Sequence, residues 1–302
     1  MSDQRHGLAF GIAAYGLWGA FPLFWTLLEP AGAVEILAHR MVWSALTMTL
    51  VVVLARRTGH LRRIIADPRS RWLLLLASGV ISLNWVTFIW GVNNGHVVEV
   101  SLGYFVNPLV TVLMAVLILG ERMRPVQWGA MGVAAAAVVV LTVDHGRLPW
   151  IALVLACSFG TYGLAKKQAG AGALESLCFE TWVVAPFALA YVGWLVATGS
   201  STFETQGLGH AALMVTTGVV TALPLVCFGA AATRLPLVTL GLLQYLAPAM
   251  HFLLGVLVFQ EHMSGGRWVG FALVWIALTV FTTESIGHRR RQLRLAAEAS
   301  AV

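Results

Sequence analysis

Residues 101–128 and 241–268 carry one pattern twice, and few folds can hold it. The first stretch reads SLGYFVNPLVTVLMAVLILGERMRPVQW and the second GLLQYLAPAMHFLLGVLVFQEHMSGGRW. Pro108 matches Pro248, Glu121 matches Glu261, Met123 matches Met263 and Trp128 matches Trp268, each pair 140 residues apart. The same offset pairs Glu35 with Glu175, Leu37 with Leu177, Val86 with Val226 and Phe88 with Phe228. A gapless period sustained over so many helical turns marks a chain made of two copies of one unit. Each copy holds an apolar run with a proline in its middle.

Composition places that unit in a bilayer. Of 302 residues, 59% are hydrophobic and 11% charged, whereas a soluble domain carries about 25% charged residues. Crossing about 30 Å of hydrocarbon as a helix takes roughly 20 apolar residues. Ten such stretches are predicted, at approximately 7–28, 35–55, 72–93, 97–119, 125–143, 149–166, 174–197, 210–232, 236–259 and 266–286, called spans 1 to 10. Ala31-Gly32-Ala33 resembles a signal-peptidase site. Span 1, however, exceeds an h-region of about 7–15 residues and contains Tyr15, Trp18 and Pro22, so cleavage is not expected. Cys157, Cys178 and Cys227 stand singly inside apolar runs, so neither a disulfide framework nor a metal site is indicated.

The formal charge of +6 does not gather on one face, and nucleic acid is not an expected partner. The basic residues fall in alternate links. Arg56, Arg57, Arg62, Arg63, Arg69 and Arg71 follow span 2, Arg122 and Arg124 follow span 4, and Lys166 and Lys167 follow span 6; Arg289, Arg290, Arg291 and Arg294 sit in the tail. The other links carry only Arg147 and Arg267. The positive-inside rule then places both termini in the cytoplasm.

Five spans per copy is an odd number, so the second copy enters the membrane from the opposite side. The fold class expected is an all-α integral membrane protein of ten transmembrane helices in two inverted five-helix repeats. The halves are 7–143 and 149–286, followed by a basic cytoplasmic tail at 287–302. ERMR at 121–124 is a basic corner, whereas its partner EHMS at 261–264 has lost both arginines.

The runs EILAHRMVWS, NWVTFIWGVNNGHVVEVSLGYFVNPLV and PLVTLGLLQYLAP closely resemble the RarD branch of the EamA-type drug/metabolite transporters. The resemblance runs from about Gly7 to Glu284. It implies a bacterial inner-membrane carrier with two EamA repeats and a central cavity lined by spans 1–4 and 6–9. It supplies no substrate, since such proteins are known as permeases linked to chloramphenicol sensitivity.

Spacing says which residues would face that cavity. On span 4, Ser101, Tyr104, Pro108, Thr111 and Ala115 follow helical steps of three and four; on span 9 the stripe is Gly241, Gln244, Pro248, His251 and Gly255. Helix packing is the bland alternative for such stripes. The prolines favour a cavity, because each frees a carbonyl one turn earlier, near 104 and 244, that needs water or a side chain. Asn107, Gln244 and the adjacent Tyr245 join the substrate-contact candidates. Span 3 adds Asn84 and Phe88, and span 1 adds Tyr15 and Trp18, aromatic surfaces beside polar groups. The glycine pairs Gly91/Gly95 and Gly266/Gly270 are assigned to packing, with span 10 a candidate homo-oligomer face.

Ionisable groups inside spans are functional candidates because burying charge in hydrocarbon is costly. They are His39, Arg40, Glu99, Glu180 and His251. Arg40 and Glu180 occupy equivalent positions, but inversion separates them by about 15 Å of height at about 1.5 Å per residue, so separate roles are expected. Arg40 either snorkels to the outer surface or binds an anionic group. Glu180 is the candidate proton-coupling carboxylate. Glu99 and His96 lie near the outer mouth, where solvation is the expected fate. The function expected is secondary active transport, taken as export, of small amphiphilic metabolites or drugs by alternating access. The alternatives are a passive channel and an intramembrane enzyme. No HExxH, aspartate pair or phosphate loop is present, so no catalytic residue, cofactor or metal ligand is assigned.

Overall fold

The computed structural model describes residues 2–120, 123–170, 173–232, 234–235 and 237–299. Every element among them is helical. In chain order they are α1 (Ser2–Gly19), α2 (Phe21–Thr26), α3 (Ala33–Leu54), α4 (Thr58–Ala66), α5 (Pro68–Asn93), α6 (Val97–Leu119), α7 (Pro125–His145), α8 (Trp150–Ala169), α9 (Ala173–Ala197), α10 (Thr202–Thr205), α11 (Gly207–Ala232), α12 (Leu237–Leu243), α13 (Leu246–Leu253) and α14 (Gly265–Ala299). A π-helical turn, Leu254–Val258, continues α13. Local signals set several ends. The Asp67 carboxylate accepts the Ser70 N–H at 2.9 Å with Pro68 at the first helical position, and α8 stops at Gly170, whose φ of 63° is cheap only for glycine.

Among the described residues, eight helices are long and apolar enough to cross a membrane, α1 and α2 together forming the first. The chain is therefore a multi-pass membrane protein. Two of the ten expected spans fall outside that set for stated reasons. Span 6 became α8, whose last turn holds Lys166 and Lys167. Span 9 is broken into α12, α13 and the π turn. α14 continues unbroken to Ala299, so the described part of the expected tail, 287–299, is helical. Glu121 and Arg122 of the ERMR corner lie outside the described residues, while Arg124 forms an ion pair with Glu284 of α14.

Packing contacts run in a closed cycle: α1 on α11, α11 on α3, α3 on α9, α9 on α5, α5 on α8, α8 on α6, α6 on α13, and α13 back on α1. The pair α7 and α14 stands outside this cycle, packed mainly on each other and touching α6. Their seam is apolar, with Ala130, Ala134, Ala137, Leu141, Phe271, Val274 and Ala277 buried in it. A Cβ at Gly266 would strike Asp144, and one at Gly270 would strike Leu141. The glycine face that had been the candidate for an oligomer is thus occupied within the chain.

Candidate functional site

The cycle encloses side chains that meet across it. Phe88 of α5 and His251 of α13 are not on neighbouring helices, yet their rings lie 5.4 Å apart. Tyr104 of α6 contacts both, at 5.9 Å each, and Phe159 of α8 at 5.9 Å. Next to them Tyr15 of α1 forms edge contacts with Trp18 and with Phe228 of α11, and Trp18 meets Phe228 at a tilt, all at 5.3–6.1 Å. His251 Nε2 lies 3.0 Å from the Trp18 carbonyl oxygen. A carbonyl can only accept, so Nε2 carries the proton. Nδ1 is then an acceptor, buried with no protein partner.

The polar candidates divide. Asn84 is fully engaged: Nδ2 donates to Leu155 O at 3.0 Å and Ser158 Oγ at 2.9 Å, and Oδ1 accepts from the Tyr104 hydroxyl at 3.0 Å. It braces α5, α6 and α8 together and holds Tyr104 in the aromatic group. Asn107 accepts from Thr111 at 3.3 Å along α6. Gln244 is exposed, and Tyr245 reaches Thr282 of α14 at 3.5 Å, so neither joins the aromatic group. Pro108 leaves α6 unbroken from Val97 to Leu119, whereas the backbone leaves helix at 244–245, one turn before the buried Pro248. That is where its missing N–H frees a carbonyl. Ser101 donates to the Pro248 carbonyl at 2.9 Å and ties α6 to the break.

Arg40 does not snorkel. It is 3% exposed, its Nε donates to Thr221 of α11 at 2.9 Å, and its guanidinium lies 3.9 Å from the Trp85 ring centre. Trp25 and Phe21 flank it at 5.1 and 5.8 Å. Glu180, 1% exposed, accepts from the Tyr162 hydroxyl at 3.0 Å and lies 3.6 Å from Lys166 Nζ, which itself donates to Tyr162 at 2.7 Å. The two groups have separate partners.

Carboxylates gather at the end carrying Asn94. Glu99 is not simply solvated: it pairs with Arg147 at 3.3 Å and accepts the Ile151 N–H at 3.1 Å, while His96 stacks on Trp90 at 5.6 Å. His39 stacks on Phe203 at 4.8 Å. Glu261 accepts from the N–H groups of Val97 and Val98 at the start of α6, where the helix dipole favours a negative charge. Burial pushes the Glu261 carboxyl above its ordinary range, against the downward pull of those N–H groups and Arg267.

Residues 5–143 match the EamA-like transporter family. Over 302 residues the chain is 56% identical to Protein RarD of Streptomyces exfoliatus, covering 100% of this chain and 96% of that one. The chain belongs to the RarD branch of the EamA-type transporters. Another relative, the chloramphenicol-sensitive protein RarD of Pseudomonas aeruginosa, is 32% identical over 301 residues, 97% of this chain and 99% of that one. A solved crystal structure shares the fold at a TM-score of 0.58 with 19% identity, over 92% of this chain and 97% of its own.

In this RarD-type chain, several side chains around the candidates carry no signal in a single sequence. Trp85, Trp25 and Thr221 enclose Arg40, and Tyr162 and Lys166 enclose Glu180. Only Tyr162 and Lys166, four residues apart on one helix face, had a spacing that could have linked them.

Proposed function

We propose that this RarD-type chain is a secondary active carrier of small amphiphilic metabolites or drugs, working as an exporter by alternating access. Its two halves, 7–143 and 149–286, are inverted repeats that together cross the bacterial inner membrane ten times. Both termini are cytoplasmic. The observation that carries this reading is the packing cycle. Exchanging α1 with α8, α3 with α9, α5 with α11 and α6 with α13 reproduces the same set of neighbours. In such a pair of halves, swapping conformations turns a site open on one side into a site open on the other. The aromatic and polar side chains inside the cycle supply stacking surface and a few hydrogen-bonding groups, as a small-solute site requires. Tyr15, Trp18, Phe88, Tyr104 and His251 are its contacts, with Pro248 setting the break beside them. Glu180 couples transport to protons.

Counterflow tests this reading. Proteoliposomes loaded with unlabelled chloramphenicol or indole-3-acetate are diluted into trace labelled solute of the same kind. A carrier gives a transient accumulation of label above equilibrium that saturates with external solute. Unsaturable equilibration with both solutes contradicts the proposal and favours a channel.

A further inference from the structure

We infer that the solute carried has an acidic group, received end-on by Arg40; this deepens the transport reading and rests on it. A guanidinium at 3% exposure retains its charge, and hydrocarbon burial of that charge demands compensation. Among the described residues, no carboxylate lies within ion-pair distance of Arg40. Among the described residues its single hydrogen bond is from Nε to Thr221. The stack on Trp85 fixes the plane of the fork and stabilises the charge in part. Nη1 and Nη2 are left as a pair of parallel donors, the geometry that matches a carboxylate, phosphate or sulfonate.

The equivalent position in the other half sharpens the contrast. Glu180, 140 residues on, is balanced by Lys166 within the protein. Of these two buried ionised sites one is neutral as a unit and the other is a cation awaiting a counter-charge. A neutral solute would leave that donor pair unmet, and a cationic one would add repulsion. The protein also says how large the rest of the solute is. Trp85 and Phe88 lie three residues apart on α5, and Thr221 and Phe228 seven apart on α11, so in each helix the Arg40 pocket and the aromatic group share a face. Three residues span roughly 5 Å of helix and seven roughly 10 Å, at about 1.5 Å per residue. A solute anchored on Arg40 by its acid thus reaches the aromatic group with an apolar body of about 5–10 Å.

Matched probes decide it. Wild type, Arg40→Lys and Arg40→Gln are purified in chloride-free detergent, and thermal stability is followed with benzoate, phenylacetate, indole-3-acetate and phenyl phosphate. The amide and amine counterparts and chloramphenicol, which has no acidic group, are run beside them. At least one acid is expected to raise the melting temperature of wild type more than its amide or amine does. Its effective concentration rises roughly tenfold in Arg40→Lys, which keeps the charge and loses the fork, and protection disappears in Arg40→Gln. The inference is overturned by equal or better protection from the neutral or cationic members, by no protection from any acid, or by acid protection that survives in Arg40→Gln. Should the glutamine variant not fold, the acid-over-amide preference of wild type and its weakening in Arg40→Lys still decide. Counterflow of a neutral solute alongside these failures would leave the carrier reading standing and remove only the acidic cargo.

Discussion

Glu180 is held by two side chains one turn apart on α8, Tyr162 and Lys166. Removing the cation alone strands a buried carboxylate, so Lys166→Met is expected to destabilise the protein by about 3–5 kcal/mol, and the double change with Glu180→Gln by much less. Denaturation of the purified variants reads both. Glu180→Gln alone should retain solute binding and lose the dependence of uptake on a pH gradient; unchanged proton-driven uptake would remove Glu180 from coupling. Glu261 makes a separate prediction. Its carboxyl is raised in the folded protein, chiefly by burial, so the unfolded chain releases that proton at lower pH. Stability is then greatest in acid and declines as pH rises through the raised value. Glu261→Gln, which keeps an acceptor for the α6 N–H groups, should flatten that decline in a pH series of melting temperatures. The equivalence of Arg40 and Glu180 was legible because charges in apolar runs are rare and the 140-residue offset aligns them. Their partners were not. Trp85 reads as one more apolar residue of its span until α3 brings Arg40 against it, and Lys166 reads as an orientation charge until α9 brings Glu180 against it.

Two prolines in matching positions act differently because their helices have different neighbours. α6 passes Pro108 without a break, flanked by α8 and α13. The segment holding Pro248 gives way at 244–245 and again in the π turn, where Gly255 packs against Val98 and Glu261 takes the first N–H groups of α6. Breaks of this kind absorb motion. Pro248→Leu is therefore expected to lower transport by roughly tenfold or more while folded protein falls by less than about twofold, and Pro108→Leu to affect transport much less. Transport rates normalised to the amount of monodisperse protein check this, and equal losses of both quantities in Pro248→Leu would leave it a structural role only. From sequence the two prolines were indistinguishable, since a freed carbonyl leaves open whether the backbone will part. The apolar runs themselves were legible almost to their ends, because length and hydropathy alone fix a membrane helix.

At the scale of the molecule, the cycle of eight packed segments with α7 and α14 set outside is the arrangement on which the proposed function rests. Sequence could reach the membrane class, because it is written in composition. It could not reach the order of helices around the cycle, which depends on close approaches such as Gly103 against Ala152 and Gly218 against Trp43 that no periodicity announces. Alternation of the two halves is the central claim, and α5 and α11 report on it, since they exchange places under the proposed repeat and are not neighbours in the cycle. Spin labels are placed on exposed positions at one end, Asn94 and Leu208, and in a second sample at the other end, Arg69 and Arg234. Pulsed dipolar distances are then measured in lipid nanodiscs as pH is stepped and indole-3-acetate or chloramphenicol is added. The account requires opposed changes, one pair widening as the other narrows. Two distances that stay fixed, or that widen together, would contradict it.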